Sequence, residues 1–107
     1  MRVRERSGGQ VVRVGQRLDV GTVAGVRPRL HRAVDSGDGD LVVDLSGLEM
    51  IDATGLGVLV GTHRRALSAG RHLVLRGVPP RIMRVLAVTR LNRVLRVEEL
   101  PPSAAVA

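Results

Sequence analysis

The stretch DATGLGVLVG, residues 52 to 61, sets one carboxylate and one hydroxyl ahead of an apolar run broken by glycines. An oxygen-bearing side chain just before an apolar helical stripe marks a helix N-terminus, where the first N–H groups lack partners within the helix. Thr54 sits where such a cap should sit, Asp52 stands two residues earlier, and the stripe starts at Leu56. Either oxygen can accept hydrogen bonds from the first turn. The Thr54 hydroxyl also lies at a loop–helix junction, where a kinase can reach it. The glycines need their own account, because each one inside a helix costs roughly 1 kcal/mol relative to alanine. Gly57 and Gly61 fall on a stripe with Arg64, Arg65 and Ser68, beside the apolar face. Bare backbone next to a hydroxyl lets another protein come close, although close packing inside the domain favours glycine as well.

Other chemistries fit less well. The spacing Gly55-x-Gly57-x-x-x-Gly61 invites a dinucleotide site, but that fingerprint needs its first glycine directly after a strand. Here the strand ends at Leu45, ten positions before Gly55, and the third glycine is displaced by one. His31, His63 and His72 have no ligand spacing, and His63, on the apolar stripe, is expected to be a hydrogen-bonded packing residue. No serine stands in a G-x-S-x-G context, and the acids are dispersed in turns. Cysteine is absent, which excludes disulfides, thiolate nucleophiles and Cys-based metal sites. The residues argue against an enzyme, and no cofactor or metal is expected.

The elements that must carry the DATG segment follow from periodicity. Gln10–Val14 and Arg17–Val20 read as two short strands meeting at a turn around Gly15. Val23, Val26, Leu30, Ala33 and Val34 recur at helical spacing, with Pro28 expected to kink this helix or to delay its start until near Arg27. Leu41–Leu45 is nearly all apolar, as a strand covered on both faces must be. A nine-residue connection, SGLEMIDAT, leads to the second helix, whose stripe is Leu56, Leu59, Val60 and Leu67 and whose end is Gly70. His72–Arg76 is a further strand, Pro79 and Pro80 open a third helix whose apolar positions are Ile82, Val85, Leu86 and Val88, and Val94–Val97 is a last short strand. Alternation from Leu41 onward implies right-handed crossovers. The fold class is therefore α/β: a single domain with a mixed, mainly parallel sheet of about four to five strands packed with helices.

One domain suits 107 residues, with residues 10–98 folded and 1–9 and 99–107 expected to be flexible. The core must be built without Phe, Tyr or Trp, since the chain has none. No apolar stretch approaches a signal peptide or a membrane span, so no membrane insertion and a cytoplasmic location are expected. The net charge is +7, and every one of the 17 basic residues is Arg. They are unevenly placed. Six acids and no Arg lie between Ala33 and His63, and seven Arg and no acid lie between Arg71 and Arg96. Such an excess raises nucleic-acid or membrane-surface binding, but aromatic stacking platforms and a helix-turn-helix pattern are absent. No specific nucleic acid is expected, and a basic nucleic-acid-binding module ranks below the other readings.

From Leu41 through Leu95 the sequence resembles a STAS domain of the anti-sigma-factor antagonist class, and the likeness extends from about Val11 to Val97. Its specific parts are Asp44-Leu45-Ser46, Asp52-x-Thr54-Gly55-Leu56, and the upstream Gly15-x-x-Leu18-Asp19. The resemblance implies a switch. In that family the unmodified protein binds an anti-sigma factor that is also a serine/threonine kinase, which frees a sigma factor. The kinase then phosphorylates the second position of the dipeptide between Asp and Gly, here Thr54, and a phosphatase resets the protein. The implied partner surface comprises Asp19, Gly21, Thr22, Asp52, Ala53, Thr54, Gly55, Gly57, Val58, Gly61, Arg64 and Arg65. A monomer or weak dimer is expected. Ala53 leaves a single hydroxyl in the motif, and Arg90 stands where relatives often carry a helix-ending glycine, so a left-handed backbone is expected there. The alternative within the same fold is a non-switching STAS subunit associated with a membrane transporter, in which Thr54 is only a cap.

Overall fold

The computed structural model describes residues 4, 5 and 9–98. Strand β1 (Arg4–Glu5) is followed by β2 (Gly9–Arg13), β3 (Arg17–Leu18), helix α1 (Val23–Asp35), β4 (Leu41–Asp44) and β5 (Met50–Ile51). Helix α2 (Ala53–Ser68), β6 (Leu73–Arg76), α3 (Pro80–Val88), a 3-10 turn (Leu91–Arg93) and β7 (Arg96–Val97) complete the order. The main sheet runs β1-β2-β4-β6-β7, with only the β1–β2 pair antiparallel. The expected mixed, mainly parallel sheet is therefore present. Arg4 and Glu5, inside the segment expected to be flexible, pair with Gln10 and Gly9. The remaining residues of 1–9 and all of 99–107 lie outside the described residues.

Two connections differ from expectation. Strands β2 and β3 do not pair with each other. Instead β3 pairs in parallel with β5, matching Arg17 to Met50 and Leu18 to Ile51, as a separate two-stranded sheet. A hairpin needs antiparallel neighbours, and here β2 is already flanked by β1 and β4. Helix α1 runs through Pro28 rather than starting near it. Pro28 and Ala24 are both exposed, so water can serve the Ala24 carbonyl that the proline leaves unpaired.

Leu41 and Val43 of β4, with Leu73 and Leu75 of β6, join Leu30 of α1, Leu59 of α2 and Ile82 and Leu86 of α3 in one apolar cluster. The three helices thus share one face of the sheet. On α2 the buried positions are Gly55, Val58, Leu59, Thr62 and Ala66. The expected stripe is rotated: Leu56 and Val60 are half-buried and Leu67 is exposed. Small and polar residues supply the inward face, where Thr62 is buried because its hydroxyl donates to the Val58 carbonyl at 2.7 Å.

The end of α2 is closed as expected by Gly70, at φ +73°. The Gly70 N–H donates to Leu67 and the Arg71 N–H to Ala66, satisfying the last carbonyls. That turn delivers Arg71 into the interior. Its guanidinium donates to the Ala33 and Val34 carbonyls, each at 2.8 Å, to the Gly39 carbonyl at 2.7 Å, and to Gln10 Oε1 at 3.2 Å. A cation thus ties the C-terminal end of α1, where the helix dipole is negative, to β2 and the following loop.

Candidate functional site at the N-terminus of helix α2

Pairing of β5 with β3 keeps the chain extended through Ile51, and α2 begins directly at Ala53. The cap is therefore Asp52, not Thr54. Asp52 Oδ1 accepts the Gly55 N–H at 2.9 Å, and the Asp52 carbonyl accepts the Leu56 N–H at 2.9 Å. The other carboxylate oxygen, Oδ2, accepts the Val20 N–H at 3.1 Å, so one side chain ties the β3–α1 loop to the start of α2. The hydrogen bond from Gly55 leads the effects that hold the Asp52 carboxyl below its ordinary range, with that from Val20 adding to it. Thr54 is the second residue of the helix, exposed, and its hydroxyl makes no hydrogen bond among the described residues.

The three glycines of the motif divide into two kinds. A Cβ at Gly55 would run into the Leu18 carbonyl, so the close approach of α2 to β3 requires glycine there. At Gly57 and Gly61 a Cβ would meet no heavy atom within 4 Å, and both residues are exposed. Internal packing does not call for either. With Thr54 and Arg64 they make one exposed stripe along α2, at the spacing i, i+3, i+7, i+10. Arg65 borders that stripe, but its guanidinium is held in a two-point pair with Asp35 of α1, at 3.1 and 2.7 Å. Val58 is buried in the core, so Gly55 and Val58 shape the surface from below and do not form it.

The upstream residues gather at the same end. Asp19 is buried, accepts the Gly21 N–H at 3.0 Å, and pairs with Arg17 at 2.7 Å. Thr22 accepts the Asp19 N–H at 3.0 Å and donates to the Arg17 carbonyl at 3.0 Å. Asp19 and Thr22 thus fix the turn that presents Val20 and Gly21, as an Asx-type turn does. Ala53 is exposed beside Thr54. Two residues escaped the sequence reasoning. Val20, 74% exposed, follows Asp19 and is bound through its N–H to Asp52, and Met50, 45% exposed, stands two residues before Asp52. A large apolar residue inside a polar turn, as in DVGT, is the signal that marks Val20.

Residues 1–98 match the family described as "Mlab, STAS domain". The chain belongs to the STAS domain family. Among relatives of this STAS domain is the anti-sigma-B factor antagonist of Staphylococcus aureus (strain NCTC 8325 / PS 47), 35% identical over 88 residues, which are 82% of each chain. The anti-sigma-factor antagonist (STAS) domain protein from Planctomyces limnophilus has the same fold, with a TM-score of 0.81 at 22% identity, covering 99% of this chain and 94% of that one. The Bacillus cell fate determinant SpoIIAA in its phosphorylated form also shares it, with a TM-score of 0.68 at 18% identity over 99% of this chain and 95% of that one.

The STAS domain carries no group of three or more His, Cys, Asp or Glu among its described residues that could hold a metal. No described helix is long and apolar enough to cross a membrane. His63 is half-buried on α2, and its Nδ1 has no hydrogen-bond partner among the described residues, contrary to the expected hydrogen-bonded packing role. Arg90 has the expected left-handed backbone, at φ +62°.

Proposed function

We propose that this STAS domain is an anti-sigma factor antagonist whose unmodified α2 N-terminus binds an anti-sigma factor with serine/threonine kinase activity. Binding frees a sigma factor, phosphorylation of Thr54 ends the interaction, and a phosphatase restores it. The observation that carries the proposal is the division of labour at the motif. Asp52 caps the helix and leaves the Thr54 hydroxyl exposed and unengaged among the described residues. A hydroxyl kept only as a cap would be bonded to the first turn. The 35% identity to the S. aureus anti-sigma-B factor antagonist supports the same reading.

The contact surface would consist of Val20, Gly21, Ala53, Thr54, Gly57, Gly61 and Arg64, held from beneath by Asp19, Thr22, Asp52, Gly55 and Val58. A phosphate adds about −1.5 to −2 charges near neutral pH. The helix N-terminus tolerates that charge through its free N–H groups and dipole. A partner surface fitted to a neutral hydroxyl does not, because it would have to desolvate the anion beside the Asp52 carboxylate. A loss of about 3 kcal/mol weakens binding roughly a hundredfold.

Capture of the partner, followed by calorimetry without ATP, tests the proposal. Thr54→Ala should bind like wild type and resist release by ATP, and Thr54→Glu should bind on the order of a hundredfold more weakly. If Thr54→Glu binds as tightly as wild type and kinase with ATP places no phosphate on Thr54, the switch is wrong. Recovery of a membrane-transporter component in place of a kinase would favour the non-switching alternative.

A further inference from the structure

The basic run from Arg71 to Arg96 takes no part in the α2 site, and its place in the fold gives it a shape. Helix α3 buries Ile82 and Leu86 and turns Arg81, Arg84 and Val88 outward at i, i+3 and i+7. The chain then reverses through Arg90 and the 3-10 turn, where the Arg93 N–H returns to the Arg90 carbonyl and Val94 to Leu91. Leu91 packs against the core, whereas Arg90, Asn92, Arg93 and Val94 are exposed. Val88 is 79% exposed and Val94 49%. None of Arg81, Arg84, Arg90 and Arg93 has an ion-pair partner among the described residues. The exposed surface of α3 and of the turn that follows it thus carries guanidinium groups without ion pairs among the described residues, together with two exposed valines.

Arg90 adds an independent observation. Its φ of +62° lies in the left-handed region, where a side chain costs roughly 1–2 kcal/mol and glycine costs nothing. The only other residues with positive φ among those described are glycines. A strained, exposed arginine whose guanidinium makes no hydrogen bond or ion pair among the described residues points to a use for its charge.

We propose that this α3 surface is a docking site for an anionic lipid bilayer, engaged peripherally through Arg84, Arg90 and Arg93 with Val88 and Val94 entering the headgroup layer. Interfacial binding needs cationic groups and apolar side chains on one exposed face, and both are present. An acidic protein surface offers the same charge complementarity, and absence of binding to anionic vesicles would point to it instead. Nucleic acid would leave the two valines without a counterpart, and the chain has no aromatic side chain to stack on bases.

The test uses the full chain and vesicles of phosphatidylcholine with about a quarter phosphatidylglycerol, at physiological ionic strength. Sedimentation should show saturable binding to these vesicles and none to phosphatidylcholine alone. Each Arg removed from the surface should weaken the partition about fivefold, so Arg84→Gln with Arg90→Gln should weaken it about 25-fold. The exposed α1 pair Arg27→Gln with Arg32→Gln removes the same charge elsewhere and should change the partition less than about twofold. Val88→Ser with Val94→Ser should weaken binding at constant charge. Arg90→Gly separates docking from folding, because it should bind more weakly while melting no lower than wild type. Absence of binding, equal losses in the α1 and α3 pairs, or an unchanged partition in the valine pair would each overturn the proposal.

Discussion

Replacing the three motif glycines one at a time by alanine should give changes of opposite sign within a single helix. At Gly57 and Gly61 the added methyl meets nothing within 4 Å, and neither residue has positive φ. Helix propensity then acts alone, and each substitution should stabilise the domain by up to about 1 kcal/mol. At Gly55 the same propensity gain is opposed by the backbone of β3. The methyl would collide with the Leu18 carbonyl oxygen, lie 2.7 Å from its carbon, and approach Ile51 Cγ1 at 3.0 Å. A flexible side chain could turn aside, but a strand carbonyl cannot. Leu18 is fully buried, its carbonyl accepts the Asp52 N–H at 3.3 Å, and β3 is paired with β5.

Accommodating the methyl requires α2 to move away from β3, with an overpacking cost of roughly 1–3 kcal/mol, at the upper end because backbone must shift. Subtracting the propensity gain leaves a net loss on the order of 1–2 kcal/mol. For a domain of this size each kcal/mol moves the melting temperature by about 4–8 °C. Gly55→Ala should therefore melt roughly 5–15 °C lower, and Gly57→Ala and Gly61→Ala up to about 4–8 °C higher. Thermal unfolding followed by far-ultraviolet circular dichroism, with urea titration as a check on the slope, measures all three. A Gly55→Ala protein as stable as wild type, or a Gly57→Ala protein less stable, would refute the division of the glycines into packed and exposed.

Gly61→Leu should fold normally and lose affinity for the captured partner; a collapse of its thermal transition would place that glycine in internal packing instead. Arg71→Met should cost about 2–4 kcal/mol in urea unfolding, because the Ala33, Val34 and Gly39 carbonyls lose their donor inside the protein. Arg90→Gly should raise stability by roughly 1 kcal/mol by removing the left-handed strain, read as a higher melting temperature. Acid should unfold the protein below about pH 4: Asp35, Asp44 and Asp52 all have depressed folded values, so the stability they add is present above the unfolded carboxyl value and is lost as pH falls through the folded ones. A pH series of urea midpoints checks this, and Asp52→Asn should flatten the acid limb.

What the sequence carried openly was periodicity over several residues. The apolar run of β4, the amphipathic α1 and α3 and the closing Gly70 could all be read from local residue types, whereas the left-handed Arg90 was legible only through the family resemblance. Strand β5 could not, because two residues, Met50 and Ile51, show no alternation, and their pairing with Arg17 and Leu18 is non-local. That omission displaced the helix start and made Thr54 look like the cap. The buried stripe of α2 was hidden for a different reason. Gly55, Thr62 and Ala66 do not read as core, yet the close approach of α2 to β3 requires the glycine, and Thr62 carries its own hydrogen bond inward. Arg71 was equally hidden, since an arginine reads as surface until backbone carbonyls from α1 and the next loop are seen to surround it.

The displacement of the cap bears on how a regulated hydroxyl can exist at a helix start at all. If Thr54 were the cap, phosphate oxygens would replace its hydroxyl as acceptors for the first turn, and modification would rearrange the helix start as well as the surface. With Asp52 as cap, the hydrogen bond to Gly55 does not involve the oxygen that would be modified. Charge added at Thr54 then acts mainly outward, on whatever surface meets it, and inward only through repulsion with the Asp52 carboxylate. That carboxylate also holds the Val20 N–H. Any disturbance of Asp52 would therefore reach the β3–α1 loop, and with it the exposed Val20, before it reached the core. The arrangement lets one side chain keep the helix intact while linking the two parts of the surface that a partner would touch.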